Sequence, residues 1–192
     1  MKQQSVAAAE IELKRAEQKL ALLKFGATFD DVATYWSEFL VAANRIYTKL
    51  EQGAKAGSSK GWFDSKKHLR RTDPLLSYLQ HVRNVDEHGI EQVAELHPPT
   101  MAFQTDEGRK EIPMTPGTHT IEFFGSPPKI GWLPPTVRVI PVVDRGITYE
   151  PPSSHLGRRI EDSGLFDIAN LALEYLQSLV AEAKELAAKS DP

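Results

Sequence analysis

The nine residues His81, Val82, Arg83, Asn84, Val85, Asp86, Glu87, His88 and Gly89 bring together an arginine, an amide, two carboxylates and two histidines. Side chains of these types can move a proton and hold a phosphate. Histidine takes up and releases protons near neutral pH, so His88 is the candidate acid or base. The flat guanidinium of Arg83 offers a fork of donors that matches two phosphate oxygens and stabilises charge gathering on them. Asn84 stands four residues before His88, on the same helix face, where its amide could orient the ring. A metal site is not expected: His81 and His88 lie seven residues apart beside an arginine, and no HExxH-type spacing is present. On a regular helix Arg83 and His88 point about 140° apart, so either the helix unwinds near Gly89 or a second copy of the chain completes the site. The plainer alternative pairs Arg83 with Glu87 one turn on, binds Asp86 to another helix and leaves His88 as a satisfied helix-end residue.

The elements that must position this stretch are helical. Over residues 5–24, Val6, Ala9, Leu13, Ala16, Leu20 and Leu23 recur at helical spacing, and Gly26 ends the pattern. Thr28 with Asp31 resembles a capping box and opens a second helix, with Phe29, Val32, Trp36, Phe39, Ala43, Ile46 and Leu50 on one face and Gly53 as its stop. Asp73 before Pro74 is an N-cap acid ahead of a first-turn proline, and it opens the helix that carries the motif. Leu75, Leu76, Leu79, Val82, Asp86, Ile90 and Val93 trace the inward face of that helix, with one carboxylate interrupting the apolar line. The last helix runs from Ser163 or Gly164 to Ala188. Across residues 55–71 periodicity is lost, and Lys55, Lys60, Lys66, Lys67, Arg70 and Arg71 gather against the single acid Asp64. This reads as a basic loop, in which Trp62 and Phe63 either stack on nucleic-acid bases or tuck onto the bundle.

Residues 98–152 differ in texture, holding 11 of the 13 prolines, which rules out helix there. Residues 118–124 and 136–143 read as strands, and Asp144-Arg145-Gly146 as a turn into residues 147–150, giving a hairpin or a three-stranded sheet. The expected fold is therefore mainly α: a four-helix bundle, residues 5–97 and 160–189 of one domain spanning 1–192, with a small β insertion at 98–152 before the last helix. His155-Leu156-Gly157-Arg158-Arg159 reads as a turn leading into that helix. The run Ile130, Gly131, Trp132, Leu133 between two Pro-Pro pairs is the feature to examine for a protein partner.

There are no cysteines, which excludes disulfides, thiolate metal sites and a cysteine nucleophile. A net charge of -3 argues against a surface built throughout for nucleic acid, so any such contact is local. No apolar run suits a signal peptide or a membrane span, and a cytoplasmic protein without cofactor is expected. Nucleotide hydrolysis, esterase chemistry and hydride transfer lack their motifs.

The segment from Arg83 to His88 resembles the signature of the HEPN superfamily: an arginine, a polar residue directly after it, and a histidine beyond four to six intervening residues, late in a helix of a four-helix bundle. Arg83, Asn84 and His88 match its three parts, whereas residues 98–152 have no counterpart in the family core. The resemblance implies metal-independent RNA cleavage at the cleft of a symmetric homodimer. In it His88 would act as acid or base, Arg83 on the scissile phosphate and Asn84 as orienter, with a 2′-hydroxyl as nucleophile and a 2′,3′-cyclic phosphate as product. The charge of the basic loop, apart from the resemblance, would let Lys60, Lys66, Lys67, Arg70 and Arg71 guide the RNA. The alternative within the family is a non-catalytic dimer that binds a nucleotide, RNA or a protein partner.

Overall fold

The computed structural model describes residues 1–26, 28–55, 57–88, 93–105, 108–114, 128–133, 135–161 and 164–189. Helix α1 (Gln3–Lys24) and helix α2 (Phe29–Gly53) form an antiparallel pair joined by a short turn, the geometry a short connection imposes. The capping box read from the sequence is present: the Thr28 hydroxyl accepts from the Asp31 amide at 3.1 Å, and the Asp31 carboxylate accepts from the Thr28 amide at 3.1 Å. At the other end of the pair the Lys2 amide donates to the Gly53 carbonyl at 3.2 Å. A Cβ at Gly53 would come within 2.6 Å of the Ser5 side chain, so the close approach of α1 requires glycine there.

The basic segment is a correction to the sequence reading. Residues Gly57–Thr72 are helix α3, not a loop, and the aromatic pair is tucked onto the bundle. Phe63 is buried, and the Trp62 indole donates to Glu182 at 2.8 Å. The bundle therefore has five helices among the described residues, with α4 (Pro74–His88) and α5 (Leu165–Ala188) completing it. Asp73 caps α4 as expected, its carboxylate accepting from the Leu76 amide at 3.1 Å. Helix α4 is described to His88; Val93, expected on its inward face, is buried outside the helix, and Ile90 lies outside the described residues.

Trp36, Phe39, Ile46 and Leu50 of α2, Leu75, Tyr78 and Val82 of α4, and Leu165, Ile168 and Leu179 of α5 are the buried centre of the molecule. Each such side chain contributes about 1.5–3 kcal/mol on burial, which is what holds α4 in place.

Strand structure begins at β1 (Ala94–His97), ahead of Pro98, so the helical part does not reach residue 97. Strands β2 (Thr100–Thr105), β3 (Gly108–Pro113) and β4 (Lys129–Leu133) form an antiparallel sheet in the order β3-β2-β4. The stretch read as one strand is two, β5 (Thr136–Val139) and β6 (Val142–Asp144), in different sheets on either side of Pro141. β5 pairs with β1, and β6 pairs with β7 (Ile147–Tyr149). The expected turn joins β6 to β7, with Arg145 at φ 54° and Gly146 at φ 79°, the left-handed pair of a two-residue hairpin. A second such hairpin links β8 (Ser154–His155) to β9 (Arg158–Arg159) through Leu156 and Gly157. The expected strand at 118–124 lies outside the described residues. Strands β6 and β8 pack on α4, and β5 packs on α5. No described helix is long and apolar enough to cross a membrane.

Candidate functional site

Helix α4 is gripped from three sides, its described residues facing α2, a groove among the helices and the β6–β7 hairpin. Asp86 accepts from the Ser37 hydroxyl of α2 at 2.6 Å, so its carboxylate in the apolar line is a helix-to-helix bond. Arg83 faces a groove between α2, α3, α4 and α5. Asn44, Tyr47, Arg70, Leu79, Leu176 and Arg83 are among its walls, and its free volume of about 20 Å³ suits one water. Arg70 lies 4.2 Å over the Tyr47 ring and donates to the Asn44 side-chain oxygen at 2.9 Å. Burial lowers the affinity of Arg70 for its proton, the Tyr47 hydroxyl opposes this and the nearby Arg83 charge adds to it. Two guanidinium groups thus line one groove.

Asn84 is turned away from that groove. Its amide donates to Asp144, at the end of β6, at 2.9 Å. The same carboxylate oxygen meets His81 Nδ1 at 2.7 Å, and the His81 ring lies flat against Tyr149 of β7 with 3.5 Å between centroids. Asn84 and His81, three residues apart, share the helix face that meets the β6–β7 hairpin. The Asn84 amide first, and then the His81 ring, hold the Asp144 carboxyl below the ordinary carboxylate range. A longer contact of 3.5 Å runs from Arg83 Nη1 to the Asn84 side-chain oxygen. The amide that was expected to orient His88 is engaged with Asp144. His88 is the last described residue of α4, and its side chain lies outside the described residues.

The cations assigned to RNA guidance are largely committed to acids. Lys60 meets Asp64 at 2.8 Å, Lys66 meets Glu182 at 2.7 Å, and Lys67 meets Glu51 at 3.1 Å and Asp64 at 3.4 Å. Arg70 turns inward to the groove, while Arg71 is exposed. Sequence reading placed these five residues together, but their charges are spread over a helix and mostly neutralised.

Two further constellations surround the motif helix. Asp73 is buried, and besides capping α4 it accepts from the Leu156 amide at 2.7 Å and meets His155 Nδ1 at 2.9 Å, fixing the β8–β9 hairpin. On β4, Ile130 and Trp132 are 62% and 57% exposed, so the partner candidate is open to solvent. Among the described residues no group of three histidine and acidic side chains could hold a metal ion. Reading the sequence noticed His81 only as a poor metal ligand and Asp144 only as a turn residue. The one available signal was that His81 and Asn84 share a helix face; nothing local pairs them with an acid 63 and 60 residues away.

No family model matches the chain, and no curated protein or solved structure matches it.

Proposed function

We propose that this chain is an HEPN-like helical-bundle protein that binds RNA and cleaves it without a metal, as a homodimer. The observation that carries this reading is the convergence of Arg70 and Arg83 on the groove beside α4, where Arg70 donates to Asn44 of α2. The groove is too small to enclose a phosphate, so the phosphate docks on its rim, where the Arg83 fork can reach two of its oxygens. On a regular helix positions 83 and 88 stand about 140° apart, and in this reading a second protomer supplies the histidine that faces a given arginine. Cleavage proceeds by attack of the 2′-hydroxyl on phosphorus, giving a 2′,3′-cyclic phosphate.

The test is incubation of a mixed RNA pool in EDTA with wild type, Arg83→Ala and His88→Ala. Wild type is expected to give cyclic-phosphate ends; Arg83→Ala lowers the rate about 10²–10³-fold, and His88→Ala lowers it by about 10²–10⁴. RNA left intact by a folded wild-type dimer contradicts cleavage.

A second reading, binding without cleavage, is favoured by the Asn84 amide being held on Asp144 and by the exposed Ile130 and Trp132. In that case the dimer holds RNA, a nucleotide or a protein partner, and Arg83→Ala weakens binding with no activity to lose.

A further inference from the structure

We propose that the cleft between the β8–β9 hairpin and helices α3 and α5 binds a small phosphate monoester with an uncharged, partly apolar body, of which a nucleoside monophosphate is the simplest case. The cleft has a volume of about 480 Å³, within the roughly 300–1,000 Å³ of small-molecule sites. It shares no wall residue with the groove of Arg70 and Arg83, so this site stands apart from the RNA reading.

The hairpin builds the cationic side of the cleft. Asp73 accepts from the Leu156 amide at 2.7 Å and meets His155 Nδ1 at 2.9 Å, and the Ile160 amide donates to the Ser153 carbonyl at 2.9 Å. The hairpin is thus tied to the bundle at its turn and closed at its base. His155 and Arg158 stand opposite each other in the ladder and so share one face of it. Both line the cleft, and Arg159 joins them. The Tyr175 ring meets the His155 ring edge to face, with 5.7 Å between centroids, and fixes its plane. With Nδ1 held by Asp73, Nε2 is the ring nitrogen left for a ligand, and it makes no hydrogen bond to a described residue. The exposed side chains of Arg158 and Arg159 likewise have no ion pair or hydrogen bond among the described residues, whereas Lys60, Lys66 and Lys67 are all held by acids. Two uncommitted guanidinium forks beside an oriented imidazole match a phosphate monoester. The forks donate to its oxygens in pairs, and a monoester titrating near pH 6 offers a P–OH to a bare Nε2 or an oxygen anion to a protonated one. The other walls suit the body of the ligand. Leu69, Ile160 and Leu171 are apolar, and Glu174 supplies an acceptor for hydroxyl or amino groups. Lys66 and Glu182, also on the wall, neutralise each other at 2.7 Å. Two arginines then face the one carboxylate of Glu174, a balance that suits a single phosphate.

The experiment uses the full chain: wild type, Arg158→Gln, Arg159→Gln and, as a control on the other hairpin, the exposed Arg145→Gln. Adenosine monophosphate, adenosine and inorganic phosphate are titrated into each by calorimetry, with thermal melting as the check on folding, and ¹⁵N NMR follows the His155 ring of wild type as the monophosphate is added. Expected is saturable binding of one monophosphate per chain, at least about tenfold tighter than adenosine or phosphate alone, with a shift of the His155 Nε2 resonance. Arg158→Gln and Arg159→Gln each weaken it about 10–10²-fold, and Arg145→Gln leaves it unchanged. A folded wild type that shows no saturable binding of the monophosphate overturns the proposal. So does equal binding by wild type, Arg158→Gln and Arg159→Gln, which puts the ligand elsewhere. Inorganic phosphate held as tightly as the monophosphate overturns the assigned ligand class, and a bound monophosphate that leaves the His155 resonance unmoved overturns the part given to that ring. RNA cleavage enters none of these readouts, so the two readings fail separately.

Discussion

Asp73 and Asp144 do the same work at the two ends of α4: each is one carboxylate holding several donors, and each fastens a β-hairpin to the helix. Burial alone would raise Asp73; the Leu156 amide, the His155 ring and the Leu76 amide outweigh it and hold the group below its ordinary 3.8. Asp144 is held below the same value by Asn84 and His81. A carboxylate depressed in the folded state contributes stability that is fully present above its unfolded value. That stability is lost as pH falls through the folded value. Thermal melting of wild type is therefore expected to fall on acidification below about pH 4, and Asp144→Asn to flatten that fall. Asp73→Ala removes a cap and hydrogen bonds to a charged group together, a loss of about 3 kcal/mol, lowering Tm by roughly 6–12 °C. An unchanged Tm would mean that the hairpin does not depend on Asp73. At this scale the sequence disclosed the motif residues themselves, because types and spacing are local. It could not disclose that Asn84 reaches across 60 residues to Asp144, since only the fold brings the two together.

Helix α3 is the element least visible in the sequence, and the reason is physical. It buries only Ser59 and Phe63 among its described positions, so it carries too few inward residues to show a helical stripe. What it does carry is a charge pattern: Lys60 and Asp64 at four residues' spacing and Asp64 and Lys67 at three, both formed as ion pairs. Gly61 lies inside this helix with open space where a Cβ would stand, whereas Gly157 sits at φ +77° in the β8–β9 turn. Gly61→Ala is expected to stabilise the protein by up to about 1 kcal/mol, and Gly157→Ala to destabilise it by about 1 kcal/mol or more. Denaturant unfolding reads both, and a destabilising Gly61→Ala would contradict a helix there. The long helices α1, α2 and α5 were legible because their buried stripes are continuous. The strands around Pro141 were not, since alternation over so few residues cannot say that the chain changes sheet at the proline.

For the whole molecule, the bundle places Arg83 inward beside Arg70 and points Asn84 and His81 at the β6–β7 hairpin, so one helix serves two faces. The RNA reading requires two copies of the chain, because on a regular helix positions 83 and 88 stand about 140° apart. Sedimentation velocity is expected to show a dimer at micromolar concentration, and a strict monomer would remove the second protomer from the site. The mainly helical character followed from periodicity; the division of charge between neutralised lysines on α3 and the arginines of the groove did not, because ion-pair partners such as Glu182 lie on a distant helix. The most direct measurement is the rate of RNA cleavage in EDTA by the wild-type dimer and by Arg83→Ala, with product ends analysed. Cyclic 2′,3′-phosphate ends from wild type, formed about 10²–10³-fold more slowly by Arg83→Ala, are the expected result. Cleavage at equal rates by both, or none by a folded wild-type dimer that holds RNA, would contradict it.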